Sequence, residues 1–197
     1  MIRDLASEEF PAAAHLAAAS FREDPGFCHL IPDDATRRHR LPSLIEALLR
    51  VDAASGGRIR GAFDEDALVG VSAGVPSGST VPGLLSWLRR GRGLAWLMRD
   101  PAALLRSLAL IGAVERLRPP SADYLHLLAV HPATRGRGIG ASLLRDSLKG
   151  ANPLYLETFS PESLAWYEAR GFTRLAEVAS PVRPTFWTLK RSGLAPG

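Results

Sequence analysis

The stretch Leu125-His-Leu-Leu-Ala-Val-His-Pro-Ala-Thr-Arg-Gly-Arg-Gly-Ile-Gly140 decides how this chain is read. Its first half continues an apolar run from Tyr124 to Val130 that predicts a strand. His131-Pro132-Ala133-Thr134 reads as a loop, and a helix is expected over Arg137 to Lys149, with Leu143, Leu144 and Leu148 turned inward. Between strand and helix lies Arg135-Gly136-Arg137-Gly138-Ile139-Gly140, with glycine at alternate positions. Glycine lets a backbone approach a ligand with no Cβ in the way. The first amides of a helix lack internal partners and sit at the positive end of its dipole, so they form an anion site. Arg135 and Arg137 add charge for phosphate oxygens. A pyrophosphate suits this arrangement.

Three readings of the turn compete. A nucleoside triphosphate loop needs Gly-Lys-Ser/Thr, which is absent. The dinucleotide fingerprint fits in relaxed form through Gly136, Gly138 and Ala141, with Glu157 as the acid on the next strand. That match falls late in a short chain and several residues past the strand. A glycine-rich turn without any ligand is the third reading.

Upstream, Ile2 to Leu5 reads as a strand and Ser7 as the cap of a helix reaching Phe21, ended by Asp24-Pro25-Gly26. A second helix, capped by Asp33 or Asp34, is expected over 35–54 on the periodicity of Leu41, Leu44, Ile45, Leu48 and Leu49. Ile59 to Phe63 and Ala67 to Val75 read as strands joined by a tight turn at Asp64-Glu65-Asp66. Residues 81–118 read as an insertion of two or three short helices, with seven arginines against Asp100 and Glu115. It is read first as core-packed with a solvated basic face, and second as a lid. Downstream, Leu154 to Phe159 is expected as a strand and Pro161 to Arg170 as a helix stopped by Gly171. Phe172 to Val178 and Thr185 to Leu189 are the last strands.

The totals exclude several classes. The 197 residues suit one α/β domain, and 46% hydrophobic with 22% charged residues argues against disorder. A net charge of +4 without a dense basic block argues against nucleic acid. The uncharged stretch from Ala67 to Leu88 is broken by Gly70, Gly74, Pro76, Gly78 and Pro82, so it does not read as a membrane span. Cys28 stands alone, and the five histidines lack metal-ligand spacing, so no metal is expected. The N-terminus has no apolar signal core, and a cytoplasmic location is expected.

The quoted stretch resembles the central motif of the GNAT N-acetyltransferase superfamily, in which a strand leads into Arg/Gln-x-x-Gly-x-Gly/Ala and a helix. Arg135, Gly138 and Gly140 occupy its three fixed positions. Leu164-Ala-Trp-Tyr-Glu-Ala-Arg-Gly-Phe172 resembles the family's later motif. The layout as a whole is similar to puromycin N-acetyltransferase-like members, through the Asp24-Pro25 turn, the insertion, Leu156-Glu-Thr158 and Pro184-Thr-Phe-Trp187. The resemblance implies a single domain over residues 1–197. Its α/β (α+β) fold is a mixed, mostly antiparallel sheet flanked by helices, with the helical insertion before the central strand. It also implies acetyl-CoA as cofactor and a small-molecule primary amine as acceptor, with a homodimer as one assembly. A protein or peptide acceptor and a non-catalytic acetyl-CoA sensor are the alternatives.

Roles follow from the same resemblance. Arg135 to Gly140 would hold the diphosphate, with Arg137 and Ile139 in that run. The strand would bulge so that an amide near Leu128 faces the thioester carbonyl, while Ala129 and Val130 pair with the pantetheine arm. Ser160 and Ser163 are assigned cofactor contacts, although many members carry Asn where this chain has Ser160. Tyr167 matches the general acid: a phenol near ~10 can donate to a thiolate near ~8.5. Two residues compete as base. His126 has the intrinsic pKa for it, and Glu157 would act directly or through water.

Overall fold

The structure is a computed structural model describing residues 1–79, 100–150, 152–180 and 183–192. Among the described residues, seven strands form one sheet: β1 (Ile2–Asp4), β2 (Arg58–Asp64), β3 (Ala67–Val75), β4 (Asp123–Val130), β5 (Leu154–Thr158), β6 (Thr173–Val178) and β7 (Phe186–Arg191). Their spatial order is β1-β2-β3-β4-β5-β7-β6. Every pairing is antiparallel except β4 with β5. This is the mixed, mostly antiparallel sheet expected, and it is not a doubly wound parallel sheet.

Six helices surround it among the described residues. They are α1 (Phe10–Phe21), α2 (Pro25–Leu30), α3 (Asp34–Ala54), α4 (Pro101–Glu115), α5 (Ile139–Ser147) and α6 (Pro161–Glu168). In α1, Phe10, Ala13, Ala14, Ala17 and Ala18 recur at helical spacing and are all buried, so small side chains let the helix lie close on β3 and β4. In α3, Leu41, Ile45 and Leu49 form the buried stripe, each contributing about 1.5–3 kcal/mol relative to exposure. Asp33 caps α3 by accepting from the Thr36 amide at 2.7 Å. Helices α1 and α3 cover one face of the sheet. Helices α5 and α6 cover the other, over Leu125, Leu154, Leu156 and Leu189.

Several expectations need correction. Ser7 does not cap the first helix: Ser7–Glu9 is a 3-10 turn, and Glu9 Oε2 accepts from the Ala6 amide at 2.9 Å before α1 starts at Phe10. Asp24-Pro25-Gly26 opens a helix as well as closing one. The Asp24 carboxylate accepts from the Gly26 and Phe27 amides at 2.9 and 3.3 Å, and Pro25 takes the first helical position of α2. Helix α5 begins at Ile139 because Gly136 and Gly138 both sit at positive φ, 81° and 78°, outside the helical region. Within 81–118, α4 is one fifteen-residue helix; the helices expected at 81–99 lie outside the described residues.

Two irregularities of β4 set the geometry at the centre of the sheet. Its register against β3 slips between Ala73↔Leu127 and Gly74↔Leu125, leaving His126 as an extra, unpaired residue. The expected bulge therefore lies at His126, ahead of Leu128. It breaks the alternation, so Leu125 and Leu127 pack on opposite faces although they are two residues apart. On the other side, β4 and β5 pair only at Asp123↔Leu154 and Tyr124↔Tyr155. Beyond Tyr124 the two strands part, and among the described residues the remainder of β4 toward Val130 has no strand on that edge.

Candidate active site

The glycine turn lies at the end of the parting between β4 and β5. The 3-10 turn Pro132–Thr134, held by Thr134 N–H to His131 O at 2.9 Å, turns the chain from β4 into the loop. The first closed bond of α5 runs from the Ser142 amide to Gly138 O at 3.0 Å. The amides of Ile139, Gly140 and Ala141 precede it and remain free of helical bonding. A Cβ added at Gly136 or Gly138 would meet nothing within 4 Å, so these backbones border open space. Gly140 differs: its Cβ would lie 3.5 Å from Trp166 and from Val130, so it lets α5 pack against α6. Trp166 is held from its other side by the Arg170 guanidinium, 3.8 Å from the ring centre.

The two arginines of the turn are engaged by the chain. Arg135 Nη2 donates to Ser20 O and Ser20 Oγ, both at 3.1 Å, while Arg137 Nη1 pairs with Asp64 Oδ2 at 2.8 Å. Arg137 is 56% exposed, so this pair is weak and exchangeable for another anion. Ser160 has a local task, capping α6: its Oγ accepts from the Ser163 amide at 3.2 Å and donates to Glu162 Oε2 at 2.7 Å. That accounts for a short hydroxyl residue at this position.

A second group of residues sits at the point where β4 and β5 diverge. Tyr124 and Glu157 come from the two strands, and the Tyr124 hydroxyl donates a short hydrogen bond to Glu157 Oε1. The Tyr124 ring stacks on His126, centroids 5.0 Å apart, and the Arg118 guanidinium lies over its ring at 4.8 Å. His126 Nδ1 is 3.1 Å from both carboxylate oxygens of Asp52. Asp52 follows Leu41, Ile45 and Leu49 on the inward stripe of α3, and its side chain is 5% exposed.

Charges in this cluster are set by burial and by one another. Burial alone would lower the His126 imidazole; the Asp52 carboxylate, with Glu157 and Glu115 adding to it, outweighs burial and holds the ring up at about 9. The sequence expectation of a neutral histidine ready to accept a proton thus meets a buried aspartate whose charge favours the protonated ring. Glu157 is pushed up to about 7 by burial, against the lowering effects of the His126 charge and the Tyr124 hydrogen bond. Its second oxygen, Oε2, is buried and has no hydrogen-bond partner among the described residues. Burial, then the Glu157 charge, raises both the Tyr124 and the Tyr167 phenols.

Tyr167 lies on α6, buried edge-on against Trp166 at 5.0 Å and Phe172 at 5.4 Å. It packs between the two aromatics, and no hydrogen bond engages its hydroxyl among the described residues. The fold therefore joins His126 and Glu157 in one cluster, while Tyr167 stays in the α6 core on the opposite sheet face. Sequence reasoning missed Asp52 and Tyr124. Asp52 carried a signal: it is an acid falling on the apolar stripe of α3. Tyr124 carried none, because its partner lies 33 residues away.

Among the described residues, no helix is long and apolar enough to cross a membrane, and no group of three or more His, Cys, Asp or Glu is placed to hold a metal ion.

Residues 107–174 match the family model described as acetyltransferase (GNAT) domain. Solved structures share the fold over nearly the whole chain. One is described as histone acetyltransferase HPA2 and related acetyltransferase from Corynebacterium glutamicum, 23% identical, covering 100% of this chain and 97% of its own with a TM-score of 0.72. Another is an N-acetyltransferase from Staphylococcus aureus, 15% identical, covering 97% and 100% with a TM-score of 0.61. A third is the PaiA N-acetyltransferase from Thermoplasma acidophilum in complex with coenzyme A, 13% identical, covering 98% of each chain with a TM-score of 0.58. The fold is that of the GNAT acetyltransferases, and the domain match spans the glycine turn, α5, β5 and α6.

Proposed function

We infer that the chain transfers the acetyl group of acetyl-CoA to a primary amine, with a small molecule as acceptor and direct attack on the thioester. The observation that carries this reading is the parting of β4 and β5, which opens a strand edge between the glycine turn and Glu157. The neighbour crystallised with coenzyme A has the same fold. Of the residues present, the amides of Ile139, Gly140 and Ala141, with the open backbone of Gly136 and Gly138, suit a diphosphate. Arg135 and Arg137 would exchange Ser20 and Asp64 for phosphate oxygens. The unpaired edge of Leu128, Ala129 and Val130 suits an extended amide-bearing arm, which needs only main-chain groups to pair with it. Ser163 lies at the start of α6, where its own amide is used by the Ser160 cap.

Glu157 is the base. With a pKa of about 7 it is half-ionised near neutrality, and its unpartnered Oε2 is the free acceptor for an amine proton. His126, held as a cation by Asp52, keeps Glu157 from rising further and positions Tyr124 by stacking. Tyr167 donates to the departing sulfur. In the resting site its raised phenol gives up a proton reluctantly, but the Glu157 charge is one of the two causes. When Glu157 takes the amine proton that charge disappears, and the phenol becomes a better donor as the thiolate forms. The Asp24-Pro25 turn, the α4 region and Pro184 to Trp187 support a place near the puromycin N-acetyltransferase-like members.

Thermal melting with acetyl-CoA, CoA and NAD tests the cofactor. Stabilisation by both coenzyme A species is expected, and stabilisation by NAD alone would overturn the reading. An amine panel with thiol detection tests transfer. Tyr167→Phe should lower turnover at saturating acetyl-CoA by about tenfold or more; an unchanged rate across acceptors removes Tyr167 as the donor.

A further inference from the structure

Near Phe159, α2, α4 and the segment before β7 carry three basic groups that no ion pair uses among the described residues. Arg106 belongs to the inward stripe of α4, in line with the buried Ala103, Leu110 and Ala113. One end of its guanidinium donates from Nη2 to Leu30 O at 3.3 Å, and its Nε is buried without a partner. Arg183, three residues before the buried Phe186, also has a buried Nε without a partner. His29, in the last turn of α2, is close enough to both arginines that each of them, after burial, lowers its pKa. No carboxylate forms an ion pair with Arg106, Arg183 or His29 among the described residues. Leaving an arginine Nε–H buried with no acceptor is costly, so an arrangement of this kind calls for an acceptor from outside the chain, and the adjoining positive charges favour an anion.

The position relative to Glu157 gives the rest. Phe159 is two residues beyond Glu157, so it projects to the same side of the chain about 7 Å further along. The Phe159 ring packs on Phe186 at 5.4 Å, and Gly26 at the start of α2 is shaped to fit it, since a Cβ there would lie 2.9 Å from the ring. Ala113 and Val114 of α4 close the same aromatic pair. Glu157, an aromatic floor and a basic group therefore follow one another along one face.

The geometry points to Arg106, Arg183 and His29 as the site for an oxyanion of the acceptor, so that the substrate class is an amine joined by a short apolar spacer to a carboxylate or phosphate-type group. The amine half of this assignment rests on the acetyl-transfer reading. With the oxyanion bound, the guanidinium groups would turn their Nε–H groups, buried in the free protein, to face it, and the Phe159–Phe186 pair would pack against the spacer.

The test uses the full chain saturated with coenzyme A for binding, or acetyl-CoA for turnover, so that the glycine turn is already filled. The probes are ω-amino carboxylates of graded chain length, the corresponding ω-aminoalkyl phosphonates, and the neutral ω-amino amides. At the fitting length an acid should show a kcat/KM about tenfold to a hundredfold above that of its amide, and should raise the melting temperature of the CoA-saturated protein where the amide does not. Arg183→Gln and Arg106→Gln should bring that ratio toward one, with Arg183→Lys restoring part of it. The coenzyme A melting shift of each variant checks that it is folded. Equal rates and equal stabilisation by acid and amide at every length in the wild type would overturn the oxyanion site and leave acetyl transfer standing. Stabilisation by the acids alone, with no probe acetylated, would support the site and sink the transfer reading.

Discussion

Replacing Asp52 by Asn should strip His126 of its proton at neutral pH, with a change in stability large enough to measure. The rise of the ring from 6.5 to about 9 corresponds to about 3 kcal/mol between its protonated and neutral forms. Burial works against the charge, so Asp52, with smaller contributions from Glu157 and Glu115, must supply more than that net amount. The side chain is 26% exposed, so solvent screens part of this interaction. The direction follows from proton linkage. A folded-state pKa above the unfolded one means that the native state binds more protons, so its stability falls as pH rises. The contribution is complete below about 6.5 and is lost as pH passes through about 9. Urea unfolding of the wild type at intervals across that window should show a decline of about 3 kcal/mol, and Asp52→Asn should show a much flatter profile. Comparing the two proteins isolates this pair from other groups titrating nearby. Ring proton resonances of His126 should titrate near 9 in the wild type and below 7 in the variant. Parallel stability profiles, or a wild-type ring titrating near 6.5, would refute the assignment of His126 as a cation.

Glu157→Gln should lower kcat by about 10²–10⁴ and abolish the rise of kcat/KM with pH, which in the wild type is centred near 7; a retained rise would place the base elsewhere. The same carboxyl makes the native state lose stability as pH climbs from 4.5 toward 7, so the Gln variant should gain stability relative to wild type over that interval. Gly138→Ala forces a Cβ into the left-handed region at φ 78°, and should cost about 1–2 kcal/mol and weaken coenzyme A binding. No effect on melting would show that the turn relaxes. Asp146 on α5 is bound by Arg60 Nε at 2.7 Å and Lys149 Nζ at 2.8 Å, and both Asp146 and Arg60 are largely buried. Asp146→Asn should destabilise by about 3 kcal/mol in urea, because Arg60 on β2 loses its buried partner and keeps only the exposed Asp4, 3.0 Å from its Nη1. A loss under about 1 kcal/mol would mean that Asp4 and water suffice for Arg60.

Local chemistry made much of this protein legible from its sequence. Alternating apolar runs marked all seven strands, the stripe through Leu41, Ile45 and Leu49 marked α3, and alternate glycines with arginines marked the turn into α5. These signals depend on neighbours within a few residues, and so they survive in one dimension. Boundaries governed by a single dihedral were less legible: positive φ at Gly136 and Gly138 moved the start of α5, and the Asp24 side chain opened a helix where a stop was expected. The protonation states of the site belong to the tertiary structure. The sequence nominated His126 and Glu157 as rival bases, but His126 is raised by Asp52, 74 residues away, and Glu157 is raised by burial against the His126 charge and the hydrogen bond of Tyr124, 33 residues away. Long-range Coulomb and desolvation energies act through space, and no local pattern encodes which distant carboxylate will be buried beside which ring.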